Sequence, residues 1–372
     1  MIQENRLVQL FLDLCRINSP ALQEGACVAH GKRVLQDMGL DVHEDDAASR
    51  IGGNGNNLVA VLKGNKPSVP RIFLSAPFDT VEPPEGLQIE EVDGVFRSAS
   101  DTILGADDKA GMASAIEAVR SLQESGDAHG DLVLLFSVSE EVGLLGASAL
   151  DLERWDLDFG YVLDTGPPVG SFVTRTATHD RLDVTIIGKP AHSGKDPENG
   201  INAIQVAAAA IGVMKLGRIA EETTANIGMI EGGTAVNVVC PKVRLRAEAR
   251  STSVDDLDAQ VGHMVQRFEE AAREWGAQVV VDHSRHYHAY SVPETEPVVR
   301  HAAAASRRLG YEAQLRTTLG GSDANVYNAK GVPTIVVATG MSQIHTHDEN
   351  VSRQSLVDVA RLMVEIAIDV AG

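Results

Sequence analysis

The sequence predicts a protein of the α/β class in which one α/β domain is interrupted by an inserted α+β unit. Three observations predict it. Short apolar runs hardly alternate, as strands buried on both faces do; segments of helical periodicity lie between them; and the element order changes at about residue 178 and changes back near 292.

Residues 5–16 and 24–38 carry apolar side chains at helical spacing. "NLVAVLKG" (57–64), "RIFLSAP" (71–77) and "DLVLLFSVS" (131–139) read as strands, and "KAGMASAIEAVRSLQES" (109–125) as the helix between the last two. Such alternation implies a sheet covered on both sides, with ligands bound beyond the carboxyl ends of its strands. From residue 178 follow "RLDVTIIGK" (strand), "NGINAIQVAAAAIGVMKLG" (helix), "TTANIGMIEGG" and "KVRLRAEARS" (strands), "VDDLDAQVGHMVQRFEEAAREWG" (helix) and "AQVVVDHSRHYHAY" (strand). That is a βαββαβ unit. The α/β texture then resumes with a helix at 296–309, a glycine pair at 320–321 and the strand "GVPTIVVATG". The expected domains are 1–177, 178–292 (inserted) and 293–372.

The 372 residues include 32 Lys and Arg against 52 Asp and Glu, a formal charge of −20, with no basic run dense enough to track phosphates. Nucleic acid and anionic membranes are therefore not expected partners. No run of about 18 apolar residues occurs and the first twenty residues carry charges where a signal peptide needs its apolar stretch, so a cytoplasmic location is expected. Cys15, Cys27 and Cys240 are too few and too scattered for a disulfide framework or a thiolate metal knuckle.

The informative residues lie in loops. "PFDTV" holds Asp79, "LGADDKAG" Asp107 and Asp108, "SVSEEVGLLGA" Glu140 and Glu141, "VLDTGPP" Asp164, and "QIHTHDE" His345 and His347. Singly, an Asp before a helix reads as an N-cap and a Glu pair as a solvated face. Recurring on successive loops of one sheet, carboxylates with imidazole and without thiolate suit Zn, Mn or Co in a hydrolytic centre. Two adjacent glutamates after an apolar strand repel each other unless a cation or shared proton is close, and one can ligate while the other takes a proton from a metal-bound water. His283, His286 and His288 on one strand read instead as strand surface.

"GADDKAG", "SEEVGLLGA", "LDTG", "GKPAHSG…ENGINAI", "GGTAVNVV", "EARS", "GGSDANVYNAKG" and "IHTHDE", in this order over nearly the whole chain, resemble the M20-type co-catalytic metallopeptidases, in particular the peptidase T-like branch. The resemblance implies a mixed-sheet, zinc exopeptidase-like catalytic domain and an inserted lid that often dimerises. It implies that Asp107 bridges two metal ions, that Glu141 and His345 complete one site and Asp164 belongs to the other. Glu140 matches the general base and Asp79 the carboxylate that orients a metal-binding group. His192, Asn237, Arg250, Gly320 and Gly321 match substrate-binding positions.

One position departs from the pattern. Where the family has His-x-Asp, this chain has Pro77-Phe78-Asp79, so the first site loses its imidazole. Asp107 and Asp164 remain there, a pair expected to hold Zn weakly or to prefer a harder ion with extra waters. The expected function is a metal-dependent exopeptidase of di- or tripeptides, with one or two divalent ions, zinc first and Mn or Co as alternatives, dimeric through the lid. The competing expectations are an amidohydrolase of N-acyl amino acids and a peptide-binding homologue impaired by Pro77.

Overall fold

The computed structural model describes all residues from Met1 to Gly372. The chain forms two compact units, one of Met1–Thr174, Tyr290–Thr317 and Ser322–Gly372, the other of Arg175–Ala289 with Thr318–Gly321.

The first unit is built on an eight-stranded mixed sheet, in the spatial order Asp41–Glu44, Leu58–Leu62, Leu132–Ser137, Ile72–Pro77, Phe159–Thr165, Thr334–Ala338, Ser171–Arg175 and Gln314–Thr317. Ile72–Pro77 runs parallel to Leu132–Ser137 and to Phe159–Thr165, which is parallel in turn to Thr334–Ala338; Leu58–Leu62 and Ser171–Arg175 pair antiparallel. Every residue of Ile72–Pro77, Leu132–Ser137 and Thr334–Ala338 is buried, which is why these segments do not alternate. Ala106–Ser125 is buried nearly all round, and its small side chains (Ala106, Ala110, Ala113, Ala115, Ala118) permit that. A second, smaller sheet and a C-terminal helix, neither of them expected from the sequence, also belong to this unit. A three-stranded sheet joins Asn350–Ser352, Val95–Ser98 and Ile89–Val92, and the helix Arg353–Ala371 buries Leu356, Val359, Leu362, Met363 and Ile366. The hydroxyl of Ser352 caps this helix by accepting the Ser355 N–H at 2.9 Å.

The second unit is a five-stranded antiparallel sheet in the order Gly217–Ala220, Thr223–Gly232, Lys242–Ser251, Thr178–Ile187, Gln278–Tyr287, with the helices Ala203–Gly212 and Val254–Trp275. It has its own core around Leu182, Val184, Ile186, Val206, Leu245, Met264 and Phe268. The first helix is shorter than its apolar run: Asn202 caps it by accepting the Ile204 N–H at 3.0 Å, it ends at Gly212, and Gly217–Ala220 forms an additional edge strand. Thr318–Gly321 joins this unit through the Thr318 N–H to the Arg175 carbonyl at 3.0 Å and Arg250 Nη1 to the Leu319 carbonyl at 3.3 Å. No helix of the chain is long and apolar enough to cross a membrane.

Candidate metal centre

The parallel strands of the first unit deliver the acidic loops to one edge. Pro77 ends its strand, Glu140 and Glu141 follow Leu132–Ser137, Asp164 lies in Phe159–Thr165, Asp107 and Asp108 open Ala106–Ser125, and His345 lies between Thr334–Ala338 and Asn350–Ser352. All sit where ligands bind in such sheets.

His345 Nε2 lies 3.1 Å from Asp107 Oδ2 and 3.2 Å from Glu141 Oε1. Hydrogen bonds to these two carboxylates raise the His345 imidazole to about 10. Donor atoms of Asp107, Glu141 and His345 fall within 4.8 Å of one another, and so do those of Asp107, Asp108 and Asp164. Donor oxygens of Asp107 and Asp164 thus approach within 4.8 Å. Desolvation first, and then neighbouring carboxylates, hold Glu140 and Asp164 well above the usual carboxylate range.

Backbone grips set these side chains. Asp79, 1% exposed, accepts the Glu140 and Glu141 N–H groups, both at 3.0 Å. Burial raises its carboxyl to about 7, with the two amide bonds opposing. On the other side, Glu24 Oε1 accepts from Ser139 N at 2.9 Å and from Ser139 Oγ at 2.7 Å, and Ser139 adopts the left-handed backbone (φ 55°). The turn that presents the glutamates is thus clamped by two buried carboxylates. Glu349 accepts the N–H of Gly105 at 2.6 Å and that of Asp107 at 2.8 Å, so it fixes the loop of the shared aspartate. Lys109, fully buried, donates to Ser19 Oγ at 2.9 Å and to the Phe78 carbonyl, so its ammonium is tied to those groups.

The resemblance gave Asp79 the task of orienting a metal-binding group; here the groups it orients are the two glutamates. Asp108, expected alone to be an N-cap, does accept the Gly111 N–H with Oδ1 at 3.0 Å, but its Oδ2 is buried without a partner. Asp323, buried at the start of Asp323–Ala329, accepts from Ser137 Oγ, and its charge helps to raise Glu140 and Asp164. Sequence reasoning gave no role to Glu24, Glu349, Lys109 or Asp323. Glu349 carried a signal, as it closes the "IHTHDE" motif; Glu24 carried none, being one acidic residue at a helix start.

A divalent cation fits this donor set. Several carboxylates converge on one imidazole, two carboxyls approach each other, and the only lysine among them is committed elsewhere. Asp107, Glu141 and His345 suit zinc, manganese or cobalt, whereas Asp107, Asp108 and Asp164 offer oxygen alone. Pro77 brings no donor: its strand is paired at Ser75 with Val162, and two residues further along each strand stand Pro77 and Asp164.

The remaining predicted residues lie in the second unit. His192 bridges to Val238, and the Ser193 N–H donates to the Asn237 carbonyl at 3.1 Å, so His192 and Asn237 share one loop pair. Arg250 is held by Glu248 Oε2 at 2.9 Å and by the Tyr287 hydroxyl and the Leu319 carbonyl, both at 3.3 Å. At Gly321 a Cβ would stand 2.2 Å from the Tyr287 ring, so only glycine lets the loop pass there; Gly320 donates its N–H to Thr318 Oγ1 at 3.1 Å. His283 pairs with Asp180 at 2.8 Å as part of the strand surface. His347 bonds Asp101 and Glu82, at 2.9 and 3.0 Å, and is not in the Asp107 cluster.

Residues 74–369 match the model of peptidase family M20/M25/M40. The chain is 40% identical over its full length to the full length of an uncharacterised protein, YqjE, of Bacillus subtilis (strain 168). Among solved structures it is similar to the aminopeptidase PepT of Bacillus cereus ATCC 10987, at 40% identity and a TM-score of 0.89 with both chains wholly covered. It is likewise similar to a tripeptidase of Staphylococcus aureus subsp. aureus Mu50, at 38% identity and a TM-score of 0.94, covering 100% of this chain and 99% of that one.

Proposed function

The chain belongs to peptidase family M20/M25/M40, and on that premise we propose that this peptidase is a metal-dependent aminopeptidase of di- and tripeptides whose general base is Glu140. The observation that carries this is the clamped turn. Asp79 and Glu24 hold it so that Glu141 faces His345 and Asp107, while the adjacent Glu140 stays free of ligation and has raised proton affinity.

Asp107, Glu141 and His345 would hold one divalent ion, and Asp107 with Asp164 the start of a second site. When bound, such an ion polarises the scissile carbonyl and acidifies water. Glu140 takes the proton of the attacking water and returns it to the leaving amine; a carboxyl whose proton affinity burial has raised suits both transfers. Asp79 and Glu349 keep Glu140, Glu141 and Asp107 in register by their backbone amides. His192, Asn237 and Arg250 are assigned to substrate, Arg250 as a fixed positive charge whose guanidinium Glu248, Tyr287 and the Leu319 carbonyl hold in place. A cytoplasmic homodimer through the second unit belongs to the same proposal, and exposed Met229, Ile230 and Val236 in that unit support it.

The test is hydrolysis of free tripeptides, free dipeptides and N-acyl amino acids with added Zn, Mn or Co. Release of the first residue from free peptides supports the proposal. Turnover confined to N-acyl amino acids makes the protein an amidohydrolase. Pro77 is the one observation that favours an impaired peptide binder, and that case is shown if only the Pro77→His variant turns over.

A further inference from the structure

We propose that Asp108 is a metal ligand, and that Asp107, Asp108 and Asp164 form an all-oxygen site for a hard divalent ion such as manganese or magnesium rather than zinc. The inference rests on the metal centre argued above but concerns a residue which that reading does not use.

Asp108 is 1% exposed, yet its Oδ2 has no hydrogen-bond partner. A buried carboxylate oxygen left unpaired is costly unless a cation or proton completes it. Its position is built. Gly111 donates its N–H to Oδ1 at 3.0 Å, and a Cβ at Gly111 would stand 2.6 Å from both Asp108 oxygens and 2.1 Å from the carbonyl of Leu163. Glycine at that position lets the carboxylate lie against the strand that carries Asp164. One oxygen is thereby committed to the helix start and the other left for a ligand. A donor atom of Asp108 lies within 4.8 Å of donors of both Asp107 and Asp164.

Charge and chemistry agree with the placement. Donor atoms of Asp107, Asp108 and Asp164 lie within 4.8 Å of one another, and like charges crowded at that spacing are what a cation relieves. The neighbouring strand Ile72–Pro77 ends in a proline, whose side chain offers no donor. Three carboxylates with no nitrogen or sulfur match the preference of Mn and Mg for oxygen and leave room for waters, whereas catalytic zinc sites usually include imidazole.

The test is Mn2+ binding to the whole chain and to Asp108→Asn, by titration calorimetry and by electron paramagnetic resonance of free Mn2+. Asparagine can keep the Gly111 bond through its carbonyl oxygen while an NH2 group, which does not ligate, replaces the free oxygen. Expected are two Mn2+ per chain in the unmodified protein, and in Asp108→Asn one of them weakened about tenfold or more. Zn2+ should fill only one of the two sites tightly. Two unchanged Mn2+ sites in the variant, or two equally tight Zn2+ sites in the unmodified chain, would overturn the proposal.

If Asp108→Asn does not fold by circular dichroism, anomalous diffraction from Mn2+-soaked crystals of the unmodified chain decides. An Asp108 oxygen within about 2.5 Å of an ion upholds the proposal, and an ion held by Asp107 and Asp164 alone refutes it. Peptide hydrolysis on the same samples separates the two claims: Asp108-dependent binding without turnover leaves this site standing and removes the aminopeptidase assignment.

Discussion

One oxygen of the buried Asp79 carboxylate accepts the backbone N–H of Glu140 at 3.0 Å, and the other oxygen accepts the next N–H, that of Glu141, at the same distance. The two glutamates therefore cannot turn independently of the strand end that carries Asp79. Asp79→Asn keeps one acceptor and turns an NH2 group toward the other amide. With a hydrogen bond to a charged group worth about 1.5–3 kcal/mol, Asp79→Asn should lose about 2 kcal/mol by denaturant titration and lower kcat of peptide hydrolysis more than it alters KM. Wild-type kcat in Asp79→Asn would remove the clamp from the catalytic argument.

Glu140→Gln tests the base itself. The substitution is close to isosteric and leaves the Asp79 bond intact, because that bond uses the backbone N–H. Expected is a fall in kcat of about 10²–10⁴-fold with metal content and melting temperature unchanged. Retained hydrolysis would show that another group takes the proton.

His345 makes metal binding pH-dependent. In the metal-free protein its Nε2 bridges Asp107 and Glu141, and these partners raise it to about 10, so the proton is held through neutral pH and lost only as pH rises through that value. A metal ion needs the same nitrogen deprotonated, so binding near pH 7.5 should release at least one proton, and affinity should rise about tenfold per pH unit up to about pH 10. Calorimetry in buffers of different ionisation enthalpy measures the protons released. A buffer-independent heat would exclude His345 as a ligand.

Glu349 should act on the metal without touching it. Its carboxylate accepts the N–H groups of Gly105 and Asp107 in a buried loop. Glu349→Ala leaves those donors unpaired, so Mn2+ or Zn2+ affinity is expected to fall about 10- to 100-fold, the range for residues that support a ligand. Equilibrium dialysis reads this, and Glu349→Gln, which retains one acceptor, should fall between.

The buried strands were legible because burial on both faces leaves an apolar run, and the helix at 106–125 because its spacing survives an alanine-rich composition. The strands Ile89–Val92 and Val95–Ser98 were not, since short, half-exposed pairs leave no periodic signature. Asp107, Glu141 and His345 were legible because each sits in a motif, and the structure brings all three together. Glu24 and Asp323 were not: each acts through one contact with a residue more than a hundred positions away, Ser139 and Ser137 respectively, and sequence spacing carries no trace of such a contact. Asp108 lay between. Its cap role followed from sequence, but its unpaired oxygen is a property of the packed site.

In the second unit, Glu248 joins His179, at 2.9 Å, to Arg250. The close approach of His179 and then the Arg250 guanidinium hold its carboxyl down at about 2 against an ordinary 4.5. A depressed carboxylate contributes stability that is complete above the unfolded value and lost as pH falls through the folded one, so the window is about pH 4.5 to 2. Glu248 is half-exposed and solvent screens the pair, which limits the effect to about 1 kcal/mol. Glu248→Gln should be less stable than the parent near pH 6, and the gap should close between pH 4.5 and 2 in denaturant titrations followed by circular dichroism. Because Glu248 also holds Arg250, the same variant should raise KM for free peptides at neutral pH with a smaller change in kcat, the split expected if Arg250 binds substrate. A gap that persists to pH 2 would show that Glu248 acts by packing rather than by charge.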